Sequence, residues 1–238
     1  MKLKTEKKNK RKILVSVIMN CHNGEKYLSK SVKSVLQQTY KDWELIFYDN
    51  QSSDKSIKII RNFKDKRIRI LKSKNFVKLY KARNAAIKKS KGEFIAFLDT
   101  DDWWHRDRLK NQIKLIKYNK EIKILYSKFY IYDQRSKKKK INTKKVYSGK
   151  ITKNILKNYN VGILTVLINR KIFEKIKFNE RYNIIGDFDF FTKLSLNYSF
   201  HAINKPLAFY RSHSNNFSTL KINEYINELS FWLKNTKN

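Results

Sequence analysis

Three apolar runs in the first half of the chain each stop at a cluster of polar side chains. The runs cover residues 13–19, 43–48 and 93–98, and the clusters follow at 20–23, 49–54 and 99–102. An apolar run without alternation is typical of a strand that is buried on both faces of a sheet. Because the carboxyl ends of neighbouring parallel strands meet at one edge of a sheet, we expect the three clusters to converge on one ligand site.

Helical patterns separate these runs. Apolar side chains at helical spacing, cap residues and a closing glycine predict helices near residues 28–36, 55–63, 79–89 and 109–116, with a short strand at 67–71. Strands that alternate with helices at this pace predict an α/β fold. The expected architecture is a single domain with a mostly parallel central sheet, sandwiched by helices on both faces.

The second half of the chain has less regular patterns. They predict strands at 124–132 and 162–169, a charged loop at 134–145, a helix at 187–196 and a strand pair at 200–203 and 207–211 around Pro206. Near the C-terminus, a last helix carries an apolar stripe of Ile222, Ile226, Leu229 and Leu233. Such a stripe most often packs on its own domain. Docking onto a membrane or a partner is the alternative.

The chain is strongly basic, with 55 Lys and Arg against 20 Asp and Glu and a net charge of +35. Nucleic-acid binding, attraction to an anionic membrane surface and a general lysine bias are three interpretations. Nucleic-acid-binding proteins concentrate the charge on one element with stacking aromatics, whereas here it is spread along the chain. We therefore rank general bias first and membrane attraction second, and expect no nucleic-acid partner.

Composition also limits the setting of the protein. A length of 238 residues with 41% hydrophobic side chains is enough for one sizeable folded domain. The single cysteine, Cys21, cannot form an internal disulfide. No apolar run approaches the roughly 20 residues that a transmembrane helix requires. We therefore expect a cytoplasmic protein, and association with the inner face of the cell membrane stays open as an alternative.

The acidic cluster after the third run carries the most chemistry. Asp99, Asp101 and Asp102 place three carboxylates within four residues, and their mutual repulsion needs compensation. Mg²⁺ or Mn²⁺ supplies it, because hard cations prefer oxygen ligands and commonly bridge carboxylates to substrate phosphates. The competing interpretation is an acidic cap of the following helix. On its own, the Asp-x-Asp pattern does not decide between them.

Ten segments in order give the chain a resemblance to a known family. They are residues 15–18 (VSVI), 20–28 (NCHNGEKYL), 34–40 (SVLQQTY), 43–46 (WELI), 49–54 (DNQSSD), 82–86 (ARNAA), 92–102 (GEFIAFLDTDD), 186–189 (GDFD), 206–211 (PLAFYR) and 213–218 (HSNNFS). In these segments the chain resembles family-two glycosyltransferases, which have the GT-A fold. The resemblance covers residues 15–218, nearly the whole chain.

The resemblance implies a domain organisation. After a basic flexible tail at 1–11, a GT-A domain would occupy 12–238. Its Rossmann-like, nucleotide-sugar half would span about 12–125, its acceptor half about 126–220 and its C-terminal helix about 221–236. The implied activity is an inverting, metal-dependent transfer of a sugar from a nucleotide-diphosphate sugar, of which a UDP-sugar is the expected example. The implied acceptor is a glycan or a lipid-linked glycan in cell-surface polysaccharide or lipopolysaccharide biosynthesis.

The resemblance also implies roles for single residues. The donor would be bound by Cys21, His22, Asn23, Asp49, Arg83, Asp99, Thr100 and Asp101. Asp101 would bind Mn²⁺ or Mg²⁺, with Asp102 and His213 as further ligands. This cation would neutralise the diphosphate leaving group. Asp187 would be the base that deprotonates the acceptor hydroxyl, and its alternative role is to cap the following helix.

Several positions depart from the family pattern. Asn20, Cys21 and Asn50 stand where many relatives have proline, threonine and aspartate, which leaves the identity of the nucleotide open. Gly186 replaces a glutamate beside Asp187. Two other function classes compete with the transferase. A nucleotidyltransferase would need a basic glycine-rich loop after the first strand, which residues 20–24 lack, and a nucleic-acid or membrane-binding protein without transferase activity would rest on charge alone.

Overall fold

The computed structural model describes residues 12–214, 216 and 220–236. The basic tail expected at 1–11 and the motif residues Asn215, Phe217 and Ser218 lie outside the described residues. The strands are β1 Val15–Cys21, β2 Trp43–Asp49, β3 Ile68–Lys72, β4 Phe94–Phe97, β5 Trp103–Trp104, β6 Ile124–Asp133, β7 Lys139–Ile141, β8 Leu167–Asn169 and β9 His201–Ser212. The helices are α1 Glu25–Leu36, α2 Ser56–Arg61, α3 Leu79–Lys88, α4 Arg108–Tyr118, α5 Thr152–Lys157, α6 Ile172–Lys175, α7 Gly186–Asn197 and α8 Ile222–Asn235.

The described strands form one nine-stranded sheet. Eight of them follow the order β3-β2-β1-β4-β8-β6-β9-β5, and β7 pairs with β6. The strands β3, β2, β1 and β4 are parallel, as expected from the alternating pattern. Beyond β4 the sheet is mixed, because β8 is antiparallel to β4 and to β6 whereas β6 and β9 are parallel. The chain therefore adds its second half to the free edge of β4 and completes one continuous sheet.

Two apolar clusters cover the two faces of this sheet. One packs under α3, α5, α6 and α7 and includes Phe97, Tyr126, Phe190 and Trp232. The other packs under α1, α2 and α4 and includes Trp43. Alternating residues of β1 show the division, because Ile18 belongs to the first cluster and Val17 to the second. The α/β sandwich predicted from the sequence is confirmed.

Three predictions for the second half are wrong. Residues 139–141 form β7 within the expected charged loop, where they pair with Tyr130–Tyr132 of β6. The expected strand at 162–169 is a 3₁₀ turn at Ile163–Thr165 followed by β8 alone. The expected strand pair around Pro206 is one strand, β9, which passes Pro206 with shifts in its register against β6. An irregularity in the ladder accommodates the missing N–H of proline.

The last helix also differs from the sequence prediction. It forms at α8, but Ile222, Ile226 and Leu233 are 54%, 52% and 51% exposed instead of packing on the domain. Trp232 is the side chain of α8 that is buried. None of the helices in the described ranges has the length and apolar character that crossing a bilayer requires.

Candidate active site

The three polar clusters meet at the carboxyl ends of β2, β1 and β4, which are neighbours in the sheet. The register pairs Cys21 with Asp49, and the loops continue the ladder beyond the strands. The backbone N–H of Asn50 donates to the carbonyl of Cys21 at 2.7 Å, and that of Leu98 donates to Ile18 at 3.0 Å. The expected convergence is thus a direct result of parallel pairing.

The loops after β1 and β2 bind each other through side chains that were predicted to bind the donor. Asn23 Oδ1 accepts from the backbone N–H of Ser53 at 2.8 Å. His22 Nδ1 lies 2.9 Å from the carbonyl oxygen of Asn50, and its exposed ring meets Phe76 edge-on at 4.7 Å. These contacts hold the imidazole of His22 at the rim of the site, where a planar base can reach it.

Two predicted donor residues are buried at this edge. Asp49 is 0% exposed, and its carboxylate lies 3.3 and 3.4 Å from the backbone N–H of Ser52. Cys21 is also buried, with Sγ 3.8 Å from the hydroxyl of Ser52. Burial raises the pKa of the Cys21 thiol, which keeps it protonated and unreactive. A nucleotide would therefore meet the loop backbone before it reaches either side chain.

Gly24 lets the loops after β1 and β4 approach each other. A Cβ at this position would lie 2.9 Å from Thr100 Oγ1 and 3.0 Å from Cys21 Sγ. Any larger residue would separate the two loops or displace Thr100. The predicted donor residue Thr100 can therefore take its position because residue 24, in the loop after β1, is a glycine.

Asp99 is held by a buried cation. The guanidinium of Arg83, on α3, donates from Nη2 to Asp99 Oδ1 at 2.7 Å, and Arg83 is 3% exposed. A buried guanidinium keeps its charge when a carboxylate lies beside it. Two predicted donor residues thus form an ion pair at the floor of the site, where Arg83 also offers its positive charge to a bound anion.

Asp101 and Asp102 are fixed by the end of β9, about 110 residues further along the chain. The backbone N–H of Arg211 donates to Asp102 Oδ1 at 2.8 Å, and Arg211 Nε donates to the carbonyl of Asp101 at 2.7 Å. His213 Nε2 lies 3.1 Å from Asp101 Oδ2. Burial raises the pKa of both carboxyls, and the negative charge of Asp99 adds to the effect. The two groups therefore lie where a cation would be favoured.

The donor atoms suit a divalent cation that is shared with a substrate. Asp101 contributes a carboxylate and His213 an imidazole on one side, and Asp101 borders an open cleft on the other. Within residues 12–214, 216 and 220–236, no three His, Cys, Asp or Glu side chains are grouped to hold a metal by themselves. Mg²⁺ and Mn²⁺ sites of phosphate-transferring enzymes often have few protein ligands, because phosphate oxygens and water complete the shell. Asp102 is 3% exposed and accepts from Arg211, so it is placed to orient this loop.

Asp187 lies in the first turn of α7, on the opposite wall of the same cleft. Its Oδ1 accepts from the backbone N–H of Phe188 at 2.8 Å and lies 3.4 Å from the hydroxyl of Tyr80. Burial raises the pKa of the Asp187 carboxyl, and the guanidinium of Arg83 offsets part of that rise. A carboxylate with a raised pKa is a better base than an ordinary aspartate. Asp187 is not the N-cap residue of α7, which is Ile185, although its carboxylate accepts one N–H of the first turn.

Gly186 makes room for Tyr80 beside Asp187. A Cβ at residue 186 would lie 2.4 Å from two ring carbons of Tyr80, which is almost fully buried. The Tyr80 hydroxyl donates to the carbonyl of Ile184 at 2.8 Å. The space beside Asp187 is therefore occupied by an aromatic ring from α3.

The segment before Asp187 is held by α8. Glu228 accepts hydrogen bonds from the backbone N–H groups of Asn183 at 2.6 Å, Ile184 at 2.9 Å and Ile185 at 3.0 Å. Trp232 Nε1 donates to Asp189 Oδ1 at 3.0 Å. The C-terminal helix thus fixes the position of Asp187 through contacts on both sides of it.

A cleft connects the two walls. Its larger part has a volume of about 620 Å³, and a smaller part of about 170 Å³ adjoins it. Both parts are lined by Asp99, Asp102, Asp187 and Tyr210. The β6–β7 hairpin contributes Lys140 and Ile141 to the larger part, and the 159–164 segment contributes Tyr159. One cleft therefore contains the predicted metal-binding loop and the predicted base.

Sequence reasoning missed several residues of this site. Arg211 lies within a motif that was identified, but nothing indicated its contact with Asp101 and Asp102. Tyr80 and Glu228 act through contacts more than 40 residues apart in the chain, which a sequence pattern does not report. Lys140 and Ile141 were assigned to a loop, and only the pairing of β7 brings them over the cleft.

Comparison with known proteins gives the chain a context. The model of the family described as glycosyl transferase family 2 matches residues 16–194. A UDP-Glc:alpha-D-GlcNAc-diphosphoundecaprenol beta-1,3-glucosyltransferase of Escherichia coli, WfgD, is 40% identical over 166 residues, which are 69% of this chain and 64% of that protein. A second E. coli enzyme named for the same activity, WfaP, is 33% identical over 220 residues, 90% of this chain and 84% of that protein. This chain thus covers slightly less than two thirds of WfgD.

The fold is also found among solved structures. The crystal structure of S. aureus TarS 1–349 in complex with UDP-GlcNAc superposes with a TM-score of 0.71 and 20% identity, over 86% of this chain and 60% of that one. At this identity the likeness concerns the fold. It agrees with the curled mixed sheet and its two helical layers.

Proposed function

The chain belongs to glycosyl transferase family 2, and from that premise we propose that it transfers a sugar from a UDP-sugar to an acceptor hydroxyl with inversion at the anomeric carbon. The two E. coli relatives are named for UDP-Glc, and the TarS structure contains UDP-GlcNAc. These names support uracil as the base.

The observation that carries this proposal is the position of Asp187 across one cleft from Asp99 and Asp101. In-line displacement at an anomeric carbon needs a base on one side and a stabilised leaving group on the other. The cleft offers a carboxylate with a raised pKa on the α7 wall and the predicted diphosphate site on the β4 wall. The base and the leaving group would thus lie on opposite walls of the cleft.

Each of these residues would have a defined task. Asp187 would accept the proton of the acceptor hydroxyl as that oxygen forms a bond to the anomeric carbon and the bond to the diphosphate oxygen breaks. Arg83 would contribute positive charge beside the diphosphate while pairing with Asp99. Asp101 and His213 would hold Mn²⁺ or Mg²⁺, which would supply Lewis-acid stabilisation of the leaving diphosphate. His22, at the exposed rim, would contact the base, and the buried Asp49 would hold the backbone of Ser52 beside it.

We propose a lipid-linked diphosphate sugar as the acceptor, in the assembly of a cell-surface polysaccharide. The names of the two E. coli relatives contain alpha-D-GlcNAc-diphosphoundecaprenol. In this chain, Lys140 and Lys144 line the larger part of the cleft together with the apolar side chains of Ile131 and Ile141. Lysine suits a diphosphate, and apolar side chains suit the lipid that it carries.

Titration calorimetry of UDP, GDP and CDP, with and without Mn²⁺, tests the donor site. We expect one of them, UDP, to bind in a Mn²⁺-dependent manner and Asp101→Ala to lose this binding. Asp65→Ala is the matched control, because it removes a carboxylate that precedes β3 and so lies at the opposite edge of the sheet.

A product assay with UDP-sugars and a lipid-linked GlcNAc acceptor then tests the transfer. Failure of all three nucleotides to bind with or without Mn²⁺ would reject the proposal. Binding that survives Asp101→Ala would reject the assignment of the metal, and binding of GDP or CDP in place of UDP would reject the base.

A further inference from the structure

The C-terminal helix α8 is inverted relative to an ordinary surface helix. Its inward face carries Glu224, Glu228 and Trp232, one turn apart, and these three side chains make its polar contacts with the domain. Its outward face carries the exposed apolar residues Ile222, Ile226 and Leu233, with the half-buried Leu229 at the border, and we call these four residues the outer stripe. A surface helix normally buries its apolar side chains and exposes its charged ones.

Contacts of the inward face hold α8 in place. Glu228 binds three backbone N–H groups, and Trp232 is 8% exposed and packs against Phe188 with 5.0 Å between ring centroids. Ile222, Ile226 and Leu233 are each more than half exposed, and Tyr225 beside them is 38% exposed. A contiguous apolar surface of this kind marks an interaction site.

The charges around α8 indicate the occupant. Both carboxylates of α8 on the inward face are engaged, because Glu228 accepts from backbone N–H groups and Glu224 binds Lys221 at 3.0 Å. Hydrogen bonds from Lys221 and Asn183 lower the pKa of Glu224, and the charge of Lys78 adds to this effect, so Lys78 also lies near the start of α8. Lys234 lies in the last turn of α8. Lysines therefore lie at both ends of α8, and the acids of α8 are turned away from the stripe.

A second copy of this chain is a poor occupant, since each copy carries a net charge of +35 and the two would repel each other. An anionic bilayer attracts basic surfaces and accepts apolar side chains at its interface. We propose that the outer stripe of α8 docks the protein on an anionic lipid surface. This surface lies outside the cleft, and docking through it is a function separate from the proposed transfer reaction.

Docking through α8 would place the cleft close to the lipid. Glu228 of α8 binds Asn183, Ile184 and Ile185, and Asp187 follows two residues later. If the acceptor is lipid-linked, as the proposed function has it, the base would face an acceptor that stays in the bilayer. The docking itself needs neither donor nor acceptor, so it is tested separately from the reaction.

Co-sedimentation of the full chain with vesicles tests the proposal. We expect binding to vesicles of equimolar phosphatidylglycerol and phosphatidylcholine, and much weaker binding to phosphatidylcholine alone or at high salt. Leu233→Glu should weaken binding about tenfold or more, because it removes an apolar side chain from the interface and adds a negative charge. Leu115→Glu on α4 is the matched control, since it makes the same change at a partly exposed leucine under the other face of the sheet.

A direct measurement complements the variants. Leu233→Cys and Leu115→Cys can each be labelled with an environment-sensitive fluorophore, because Cys21 is buried. We expect the anionic vesicles to shift the emission of the label at 233 to shorter wavelength and leave the label at 115 unchanged. Equal vesicle binding by both glutamate variants, or no shift at 233, would overturn the proposal. A concentration-dependent dimer that Leu233→Glu abolishes, without vesicle binding by the wild type, would instead assign the stripe to a second copy.

Discussion

Under the proposed function the cleft has a donor wall, at the ends of β2 and β4, and an acceptor wall, at the start of α7, and the two are built in different ways. On the donor wall, Asp49 and Asp99 are placed by the parallel strands that end at them or just before them. On the acceptor wall, Asp187 starts a helix whose position depends on Tyr80 from α3 and Glu228 from α8. The positions of Asp49 and Asp99 follow from local sequence and strand pairing, whereas the position of Asp187, like that of the Asp101–Asp102 loop held by β9, follows from packing between distant segments. Changes far from Asp187 should therefore alter catalysis more than changes far from Asp99.

The largest expected effect comes from Asp187→Asn. Removal of a general base lowers the rate by about 10²–10⁴-fold. Because Asp187 lies on the acceptor wall, the dissociation constant of UDP with Mn²⁺ should stay unchanged. Steady-state kinetics and calorimetry on the same preparation measure both. Weakened UDP binding in this variant would show that the two walls are not separate.

Glu228→Ala tests whether α8 positions the acceptor wall. It removes the acceptor of three backbone N–H groups next to Asp187, and a hydrogen bond to a charged group contributes about 1.5–3 kcal/mol. We expect a lower free energy of unfolding by denaturant, together with a lower kcat and unchanged UDP affinity. Asn227→Ala, an exposed neighbour on α8, serves as the control. A loss of stability without any loss of kcat would limit α8 to a structural role.

Gly186→Ala and Gly24→Ala compare close approaches on the two walls. The new Cβ at 186 would meet the buried ring of Tyr80 at 2.4 Å, whereas at 24 it would meet the hydroxyl of Thr100 at 2.9 Å. Overpacking of a buried ring costs about 1–3 kcal/mol, and we expect the smaller cost at 24. Thermal or denaturant unfolding measures both.

A double-mutant cycle of Gly186→Ala with Tyr80→Leu sharpens this test, because removal of the ring should recover part of the loss. Additive effects in the cycle would contradict direct contact between the two positions as the cause.

The smallest expected effect concerns pH and two carboxylates. Burial raises the pKa of Asp187, so between the ordinary aspartate pKa and this raised pKa the native state binds more protons than the unfolded chain. The protein therefore loses stability as pH rises through this interval. At pH values above the interval, Asp187→Asn should be slightly more stable than the wild type, by about 1 kcal/mol or less. In wild type, kcat/KM should rise with pH through the same interval as the base ionises.

Glu44, beneath the donor wall, should show the opposite sign. Burial alone would raise its pKa, but hydrogen bonds from Ser16 and from the backbone N–H of Lys91 outweigh burial and lower it. Its contribution to stability is therefore present above the ordinary pKa of glutamate and lost as pH falls. Urea unfolding of wild type, Asp187→Asn and Glu44→Gln between about pH 2 and 8, a range that extends below and above the ordinary carboxyl pKa values, measures both signs. Parallel pH profiles for the two variants would contradict this assignment.

Much of the donor wall could be predicted because its information is local. The apolar runs predicted β1, β2 and β4, and parallel pairing then required Asn23, Asp49 and Asp99 to meet. The Asp-x-Asp pattern indicated an acidic loop but did not reveal that Arg211 and His213 hold it. Those contacts depend on β9 lying beside β6 and β5, and the sequence predicted β9 as two separate strands.

By itself, the sequence determined the α/β layers, the family and the strand ends where the donor wall forms, because strands and helices follow from apolar periodicity and local turns. Only the tertiary structure decided how Asp187 faces Asp99, that Tyr80 fills the space beside Gly186, and that α8 turns its glutamates inward and its apolar stripe outward. Periodicity shows that a helix has two different faces. Which face is buried depends on the hydrogen-bonding groups of the neighbouring backbone. Here the N–H groups of residues 183–185 donate to the carboxylate of Glu228, which turns the acidic face of α8 inward.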